Sequence, residues 1–490
     1  MGKHPQWALK YKRKGSELRL INGKYYLYEV SSKWDPKKKR AKKITGPLLG
    51  RITKENGFVE SAKAKLRKKE IIVSNLNVKE YGIVAFLDSH LNDYKKLLQK
   101  HFPMHWQYLL VLSYCRLLYQ SPMKNIEHHF KHSYLSEMYP KLSLSAKKLT
   151  QVLKEIGTRR ENITNFFKEF NKANDNILFD GTDLISNSKK MEITKFSKSK
   201  KGTFNSLANI MFVFSVGLQL PIYYRIIAGN IKDIKAFKLC LVESEITDAV
   251  IIADKGFYSE KNINALQEEN LKFIIPLRRN NRHISYNNVE KGNKKNFDKY
   301  FKFENRIIWY YVSKIGNERL IVFLDEELKA MEIKDYLNRI ETLPEKYNID
   351  DFDNRQHRFG TIALINNLEK NPEQIFIDYK SRGQVETMID TLKNIIDADK
   401  SYMQNEQALE ALMFINYIAM HWYYRILELL KNNNLNKKYA PMDFILFLKS
   451  IKKVKINDKW FIAEPKSQKK LMICSMLLIY ILRKFGNVMV

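Results

Sequence analysis

Cysteine is scarce in this chain, which contains only three in 490 residues. Cys115, Cys240 and Cys474 lie far apart and form no paired motif. A disulfide framework needs several cysteines at short spacings, so the class of small disulfide-stapled secreted domains is excluded. The pattern instead predicts buried free thiols in a reducing compartment.

Long uninterrupted apolar stretches are also lacking. The first residues, MGKHPQWALKYKRKG, contain no apolar core of a secretion signal. The stretch Leu412–Leu430 is interrupted by His421, Arg425 and Glu428, which favours a buried helix, and Leu471–Leu482 is too short to span a bilayer. We therefore expect a cytoplasmic protein without a membrane-spanning segment.

Acidic residues are few relative to basic ones. The chain has 85 Lys and Arg against 53 Asp and Glu, a formal net charge of +32. Residues 1–70 contain 21 basic and 6 acidic side chains, and residues 431–490 contain 13 and 3, so both ends are the more basic parts. Such a surplus indicates a polyanionic partner, usually nucleic acid; an anionic membrane surface or a generally lysine-rich proteome are the alternatives.

Several common functional motifs are absent from the sequence. There is no Walker phosphate loop, no Rossmann fingerprint and no Ser-His-Asp pattern, so ATP dependence is not indicated. His128 and His132 share a helical face, but no glutamate base stands where a zinc-peptidase motif needs one. We interpret that segment as a solvated or partly packed helix.

The order of sequence patterns predicts several regions in an α/β protein. Lys24–Val30 alternates like a strand, the basic run Lys37–Lys43 fits a solvated turn or a phosphate contact, and SLSAKKLTQVLKEIG fits a capped helix or part of a helix-turn-helix. From Asn176, apolar runs alternate with helical segments, which predicts a mixed sheet.

The predicted regions are a basic N-terminal DNA-binding region at 1–80, a helical region at 81–172, an α/β core in two parts at 173–277 and 355–430, a β-rich insertion at 278–354 and a basic helical C-terminal region at 431–490.

Two apolar runs end in an aspartate followed closely by glycine, LFDG at Asp180 and IADKG at Asp254. A carboxylate at the end of a buried strand is costly unless it has a partner. Hard cations such as Mg²⁺ are suitable partners because they bind carboxylate oxygens. Either aspartate alone is more often a turn residue or a helix N-cap, whereas two on neighbouring strands favour a metal site.

A third carboxylate lies in the predicted long helix Asn371–Asp397. Tyr379, Arg382, Glu386 and Lys393 are separated by three, four and seven residues, so a continuous helix would place them along one face. The carboxylate can bind metal, and the two cations can bind phosphate oxygens. From this segment alone, a surface helix with an Arg–Glu salt bridge is the alternative.

These patterns together resemble the bacterial insertion-sequence transposases of the DDE type, in the branch marked by the YREK signature. That signature is Tyr, two residues, Arg, three residues, Glu, six residues and Lys, and the four residues of the predicted helix match it at every position. The DGT that begins at Asp180 and the ADKGF around Asp254 resemble the contexts of the family's two aspartates, and Ile226–Asp233 resembles the segment between them. The resemblance covers roughly 176–430.

The resemblance implies an RNase H-like catalytic core with a β-rich insertion between the second aspartate and the glutamate. It also implies a metal site that holds two Mg²⁺ ions, for which Mn²⁺ can substitute. Asp180 is expected to bridge the two ions, while Asp254 and Glu386 complete one each.

The remaining signature residues are expected at the DNA. By the resemblance, Arg382 and Lys393 hold phosphates near the cut, and Tyr379 contacts the DNA backbone or orients Glu386. Relatives can hold a flipped base on an aromatic side chain of the insertion, and Trp309 is the candidate for that role.

The function implied is cut-and-paste transposition of DNA. The expected partner is double-stranded DNA, both the terminal repeats of the element and the target, bound by a homodimer in the bacterial cytoplasm at the nucleoid. Two rivals remain: an RNase H-like nuclease that cleaves without strand transfer, and an inactive DNA-binding relative that acts as a repressor.

Overall fold

The structure is a computed structural model that describes residues 4–35, 40–68, 76–171, 175–188, 190–198, 203–228, 234–246, 250–290, 292–456 and 459–463. By their contacts the residues fall into two compact units, one formed by 1–77 with 455–460 and the other by 78–454 with 461–490. The larger unit therefore contains the predicted helical region, both parts of the α/β core and the predicted insertion.

The smaller unit is built on a four-stranded antiparallel sheet in the order β1-β2-β3-β4. Ala8, Leu18, Leu27 and Ile52 form its buried core. Arg40–Lys43 belong to a strand instead of the predicted turn, and 36–39 lie outside the described residues. The elements are α1 (Gln6–Leu9), β1 (Ser16–Ile21), β2 (Lys24–Asp35), β3 (Arg40–Thr53), β4 (Gly57–Glu60) and α2 (Ala62–Lys68).

Residues 82–168 of the larger unit are mostly helical. Ser145 caps one of these helices by accepting a hydrogen bond from the backbone N–H of Lys148, so SLSAKKLTQVLKEIG forms a capped helix. After β5 (Asn77–Glu80), the helices are α3 (Gly82–His90), α4 (Asn92–His101), α5 (Trp106–Tyr119), α6 (Ile126–His132), α7 (Leu135–Met138), α8 (Ala146–Thr158) and α9 (Arg160–Lys168), with a 3₁₀ turn at Met123–Asn125.

A mixed sheet of 11 strands lies at the centre of the larger unit, which confirms the prediction of a mixed α/β sheet. Its main path runs β12-β13-β14-β15-β11-β10-β6-β8-β7, with β16 beside β6 and β9 beside β8. The strands are β6 (Asn176–Ser186), β7 (Lys195–Lys198), β8 (Phe204–Ser215), β9 (Leu220–Ala228), β10 (Val250–Ile252), β11 (Lys272–Pro276), β12 (Lys299–Phe303), β13 (Arg306–Ile315), β14 (Glu318–Asp325), β15 (Thr361–Asn366) and β16 (Lys400–Ser401).

The segment predicted as a β-rich insertion, 278–354, continues this sheet and adds helices to it. Its strand β14 pairs antiparallel with β15 over Arg319–Leu324. Leu320–Leu324 are all buried, as expected for an internal strand covered on both faces. The apolar run RLIVFLD therefore belongs to the main core.

The remaining helices include one long, buried helix near the end of the described chain. α17 contains the whole of Leu412–Leu430, so the predicted buried helix is confirmed. Among the described residues, no helix is long and apolar enough to cross a membrane.

Cys115 and Cys240 are buried free thiols, as predicted, whereas Leu471–Leu482 and Cys474 lie outside the described residues. The remaining elements are α10 (Ile234–Ser244), α11 (Glu260–Glu268), α12 (Asn287–Glu290), α13 (Glu326–Thr342), α14 (Ile349–Arg355), α15 (Pro372–Lys380), α16 (Gly383–Asp390), α17 (Glu406–Asn432), α18 (Pro441–Lys449), β17 (Lys452–Ile456) and β18 (Lys459–Ile462), with 3₁₀ turns at Lys294–Asn296 and Gln356–Arg358.

The predicted long helix Asn371–Asp397 is interrupted, which corrects the expectation of one continuous face. α15 ends at Lys380 and α16 begins at Gly383, and a π-helical turn occupies Thr391–Ile395. At the junction the backbone N–H groups of Arg382, Gln384 and Val385 bond three residues back instead of four. Gly383 has low helix propensity, which favours a break at this point.

Gly157 on α8 packs against the first turn of α17 (Glu406–Asn432). A Cβ atom at this position would lie 1.7 Å from the carbonyl oxygen of Gln407. We predict that Gly157→Ala lowers the free energy of unfolding by about 1–3 kcal/mol, the usual cost of overpacking, as measured by urea denaturation. Gly383→Ala is the matched control, because no described atom lies within 4 Å of its added carbon. A Gly157→Ala protein as stable as the Gly383→Ala protein would contradict the close approach.

His421 is fully buried on α17, and the neutral ring uses both nitrogens. Its Nδ1 lies 2.9 Å from the Tyr94 hydroxyl, and its Nε2 bonds the carbonyl oxygen of Pro221. Burial lowers the pKa of His421 from 6.5 to about 3, partly offset by the bond to that carbonyl and reinforced by Arg425.

This depressed pKa makes stability depend on pH. Above pH 6.5 the His421 ring is neutral in both the folded and the unfolded protein. Below pH 6.5 the unfolded chain binds a proton at His421, whereas the folded chain binds this proton only near pH 3. We predict that acidification from pH 6.5 to 5 costs about 2 kcal/mol through His421 alone. Urea denaturation at both pH values should show a smaller loss of unfolding free energy for the His421→Gln protein than for the native protein. Equal losses in the native and His421→Gln proteins would contradict the prediction.

Candidate active site

The two sequence-predicted aspartates lie side by side on neighbouring strands. β10 runs parallel to β6 with Val250 opposite Asn176 and Ile252 opposite Leu178. Asp254 follows Ile252 by two residues and Asp180 follows Leu178 by two, so the register places both at the same level. Asp254 lies just after its strand ends, as predicted, whereas β6 continues through Asp180 to Ser186, so the predicted strand end at Asp180 is wrong.

β6 can continue past Asp180 because its central pairing with β8 does not stop there. Asp180 is opposite Phe212 and Gly181 is opposite Met211. A Cβ on Gly181 would lie 2.6 Å from the Met211 sulfur, so the glycine of the DGT motif allows close packing here. The Asp180 side chain, 20% accessible, accepts a hydrogen bond from the Gly181 N–H at 2.8 Å.

Arg382 lies between the three predicted acids. Its Nη1 is 2.7 Å from Glu386 Oε1, and its Nη2 is 3.6 Å from Asp180 Oδ2 and 3.7 Å from Asp254 Oδ1. The side chain of Arg382 is only 15% accessible. Carboxylates that are 74 and 132 residues apart along the chain thus converge on one guanidinium group.

Glu386 is the most exposed member of this group, at 60% of its side chain against 47% for Asp254. It lies in the first turn of α16, one turn after Arg382, and the two form an i, i+4 ion pair. The Arg–Glu pair of the surface-helix alternative is therefore present, but its arginine also reaches both aspartates. The contact with acids from two other strands distinguishes this site from an isolated surface pair.

The other two signature residues, Tyr379 and Lys393, precede and follow Arg382 and Glu386 along the chain. Tyr379 is half-buried at the end of α15, and burial raises the pKa of its phenol; the charge of Arg382 lowers that pKa, while Asp254 and Glu386 raise it. Lys393 is half-buried in the π-helical turn, so its direction does not follow from an α-helical wheel.

The donor set of the site fits a hard divalent cation. Three carboxylates provide oxygen ligands of the kind that Mg²⁺ prefers, and one guanidinium leaves the group with excess negative charge. Within the described ranges, no three Asp, Glu, His or Cys side chains are placed for direct coordination of one ion. At this site the Arg382 guanidinium lies within 3.7 Å of a carboxylate oxygen of each acid.

Three further acids near the motifs have other surroundings. Asp183 is on β6 but, by strand alternation, faces away from Asp180. Asp378 is buried and pairs with Lys370 at 2.8 Å. Asp390 accepts a hydrogen bond from the side chain of Asn394.

Two polar groups at the site were missed from the sequence. The Thr182 hydroxyl and the Gln384 side-chain oxygen are buried, and each lacks a hydrogen-bond partner among the described residues. Thr182 lies two residues after Asp180 and therefore on the same face of β6. Thr182 could have been identified from the sequence, because it is the threonine of the DGT motif.

Trp309 lies in β13, within an aromatic cluster. Its ring packs against Tyr300 at 5.0 Å and Phe297 at 6.0 Å between centroids, and the Lys294 ammonium lies 5.5 Å from its centroid. The ring is half-buried, so these contacts give it a packing role, and its predicted role with a flipped base stays a prediction.

Comparison with known protein families gives a match to a described family. The model of a family described as "Transposase DDE domain" matches residues 174–422, a range that contains all three acids and Arg382. Among solved structures, a similar one is titled "Cryo-EM structure of piggyBac transposase synaptic complex with hairpin DNA (SNHP)". Its identity is 10% over 77% of this chain and 82% of that chain, with a TM-score of 0.36. No curated protein sequence matches significantly.

Proposed function

The chain belongs to the Transposase DDE domain family and is a DDE-type DNA transposase, and we propose that it cuts the ends of an insertion element and joins them to target DNA at Asp180, Asp254 and Glu386. The observation that carries the proposal is the convergence of these three carboxylates on Arg382. Unrelated surface acids would have no reason to meet around one buried cation.

The finer classification is also part of the proposal. The YREK spacing supports the bacterial branch of that name, with action at the nucleoid. The parallel strands β11, β10 and β6, next to antiparallel β8 and β9, support an RNase H-like core. Two element ends must be brought together for transposition, so we propose a homodimer on double-stranded DNA.

In the proposed site Asp180, Asp254 and Glu386 hold two Mg²⁺ ions, or Mn²⁺ in their place. When bound, these would activate the attacking water or 3′-hydroxyl and offset the charge on the leaving oxygen. Asp180 is held rigid in the middle of β6, and Glu386 on α16 is the more exposed ligand. The buried Thr182 hydroxyl, on the Asp180 face, is available to orient a water molecule.

The Arg382 side chain would have one position without metal and another with metal bound. Without metal it provides the positive charge that the three acids need, as its three ion pairs indicate. With metal in place that charge is redundant, and the planar guanidinium can turn to a DNA phosphate with bidentate geometry. Lys393 and Tyr379 are proposed as further phosphate and backbone contacts.

The proposed chemistry is tested with a plasmid that carries the DNA flanking this chain's gene on both sides. We predict Mg²⁺-dependent excision and joined products from the native protein. Asp180→Asn and Glu386→Gln should each reduce both by roughly a thousandfold or more, because ligands of the reacting centre are lost. Asp183→Asn is the matched control, since that carboxylate faces away from Asp180.

The same assay separates the rivals. Cleavage without any joined product would favour a nuclease, and DNA binding without cleavage by the native protein would favour a repressor. Equal activity of the Asp180→Asn and Asp183→Asn proteins would remove Asp180 from the site.

The role of Arg382 as a counter-ion is tested by metal binding without DNA. We predict that Arg382→Gln lowers the dissociation constant for Mn²⁺ by roughly tenfold in calorimetric titration, because a nearby competing cation is removed. Lys255→Gln is the control: it removes the same charge beside Asp254, but the lysine is exposed. If the affinity for Mn²⁺ rises equally in the Arg382→Gln and Lys255→Gln proteins, the effect is a general change of charge, and the specific role of Arg382 as a counter-ion is contradicted.

A further inference from the structure

The hairpin formed by β7 and β8 carries two exposed aromatic rings. Phe196 is 77% accessible and Phe204 is 63% accessible. Their rings are near-parallel, with an interplanar angle of 21° and centroids 6.0 Å apart. Large apolar groups grouped in this way on a surface mark a contact site more often than isolated ones do.

The register of the sheet places both rings on the face that carries Asp180. Asp180 is opposite Phe212 on β8, and Phe204 is an even number of residues from Phe212, so their side chains point to the same face. Phe196 is opposite Ser206, which is also in that series. The β6–β8 and β7–β8 pairings both run without a register shift over their paired residues, so the alternation of side chains is not reversed.

The separation from Asp180 suits DNA. Phe204 and Phe212 are eight residues apart on one strand, which corresponds to about 26 Å at the usual rise. A duplex covers that distance in about eight base pairs, at roughly 3.4 Å for each. Between them Ala208 and Ile210 on β8 and Thr182 and Leu184 on β6 are buried, so a DNA molecule held at Asp180 would reach the hairpin past the elements that cover this face.

The charge of this part of the sequence indicates the kind of partner. The sequence from 189 to 201 contains six lysines and one glutamate. Lys195, which precedes Phe196, is exposed. This combination attracts a polyanion and repels a second copy of a chain with a net charge of +32. Aromatic rings beside basic side chains are the usual means of holding unpaired bases.

We propose that Phe196 and Phe204 form a stacking platform for unpaired or unstacked bases of the DNA substrate, on the Asp180 face and outside the metal site. Because every base has an aromatic face, the platform tolerates any sequence and favours a single-stranded segment over intact duplex. The inference rests on the proposed DNA-joining function for its ligand.

The test compares two DNA probes of arbitrary sequence, a blunt duplex and the same duplex with a single-stranded tail containing 2-aminopurine. Fluorescence anisotropy gives the affinities, and 2-aminopurine emission reports base stacking. We expect the Phe196→Ala/Phe204→Ala protein to bind the tailed probe roughly tenfold or more weakly, with little change on the blunt duplex. The 2-aminopurine signal on binding should be lost.

Lys195→Ala is the matched control, because it removes a charge from the same hairpin and leaves the rings. It should lower the slope of log affinity against log salt, whereas the double phenylalanine variant should leave that slope unchanged. The thermal midpoint of the double variant should match that of the native protein, since both rings are exposed.

Each outcome decides a separate point. A native protein that binds neither probe would contradict the proposed function itself. Equal binding of the tailed probe by the native and double-variant proteins would overturn the platform. A double variant with unchanged DNA affinity but weaker self-association in sedimentation would assign the rings to a protein interface instead.

Discussion

The candidate active site depends on electrostatic compensation of three acids by one arginine. Three carboxylates that meet without a cation would repel one another and so oppose the packing of α16 against β6 and the residues after β10. The Arg382 guanidinium prevents this, because its two terminal nitrogens reach all three. The arrangement offsets the charge of the acids in the absence of metal, and in the proposed function a metal held by these acids would leave Arg382 available to a DNA phosphate.

The backbone makes this compensation possible through two local features. Parallel pairing of β10 with β6 sets the two aspartates at one level, and the break between α15 and α16 lets Arg382 extend toward them. Gly181 and Gly383 contribute in different ways, one by permitting close strand packing and the other by weakening the helix. The site is therefore assembled by the sheet register and a helix junction together.

Some of this could be predicted from sequence and some could not. Apolar runs ending near Asp180 and Asp254 indicated buried strands, and the spacing of Tyr379, Arg382, Glu386 and Lys393 indicated a functional helix. Linear periodicity could not show that β6 continues past Asp180, because that depends on its pairing with β8. Nor could it show that Arg382 contacts the aspartates, which requires the relative placement of distant elements.

The most direct measurement is the position of Mn²⁺ in crystals of the protein, located by anomalous scattering. Bound Mn²⁺ should lie among the carboxylates of Asp180, Asp254 and Glu386, with the Arg382 side chain moved away from them. If Mn²⁺ binds elsewhere while Arg382 keeps its three ion pairs, these acids are not the metal site and the proposed chemistry is wrong.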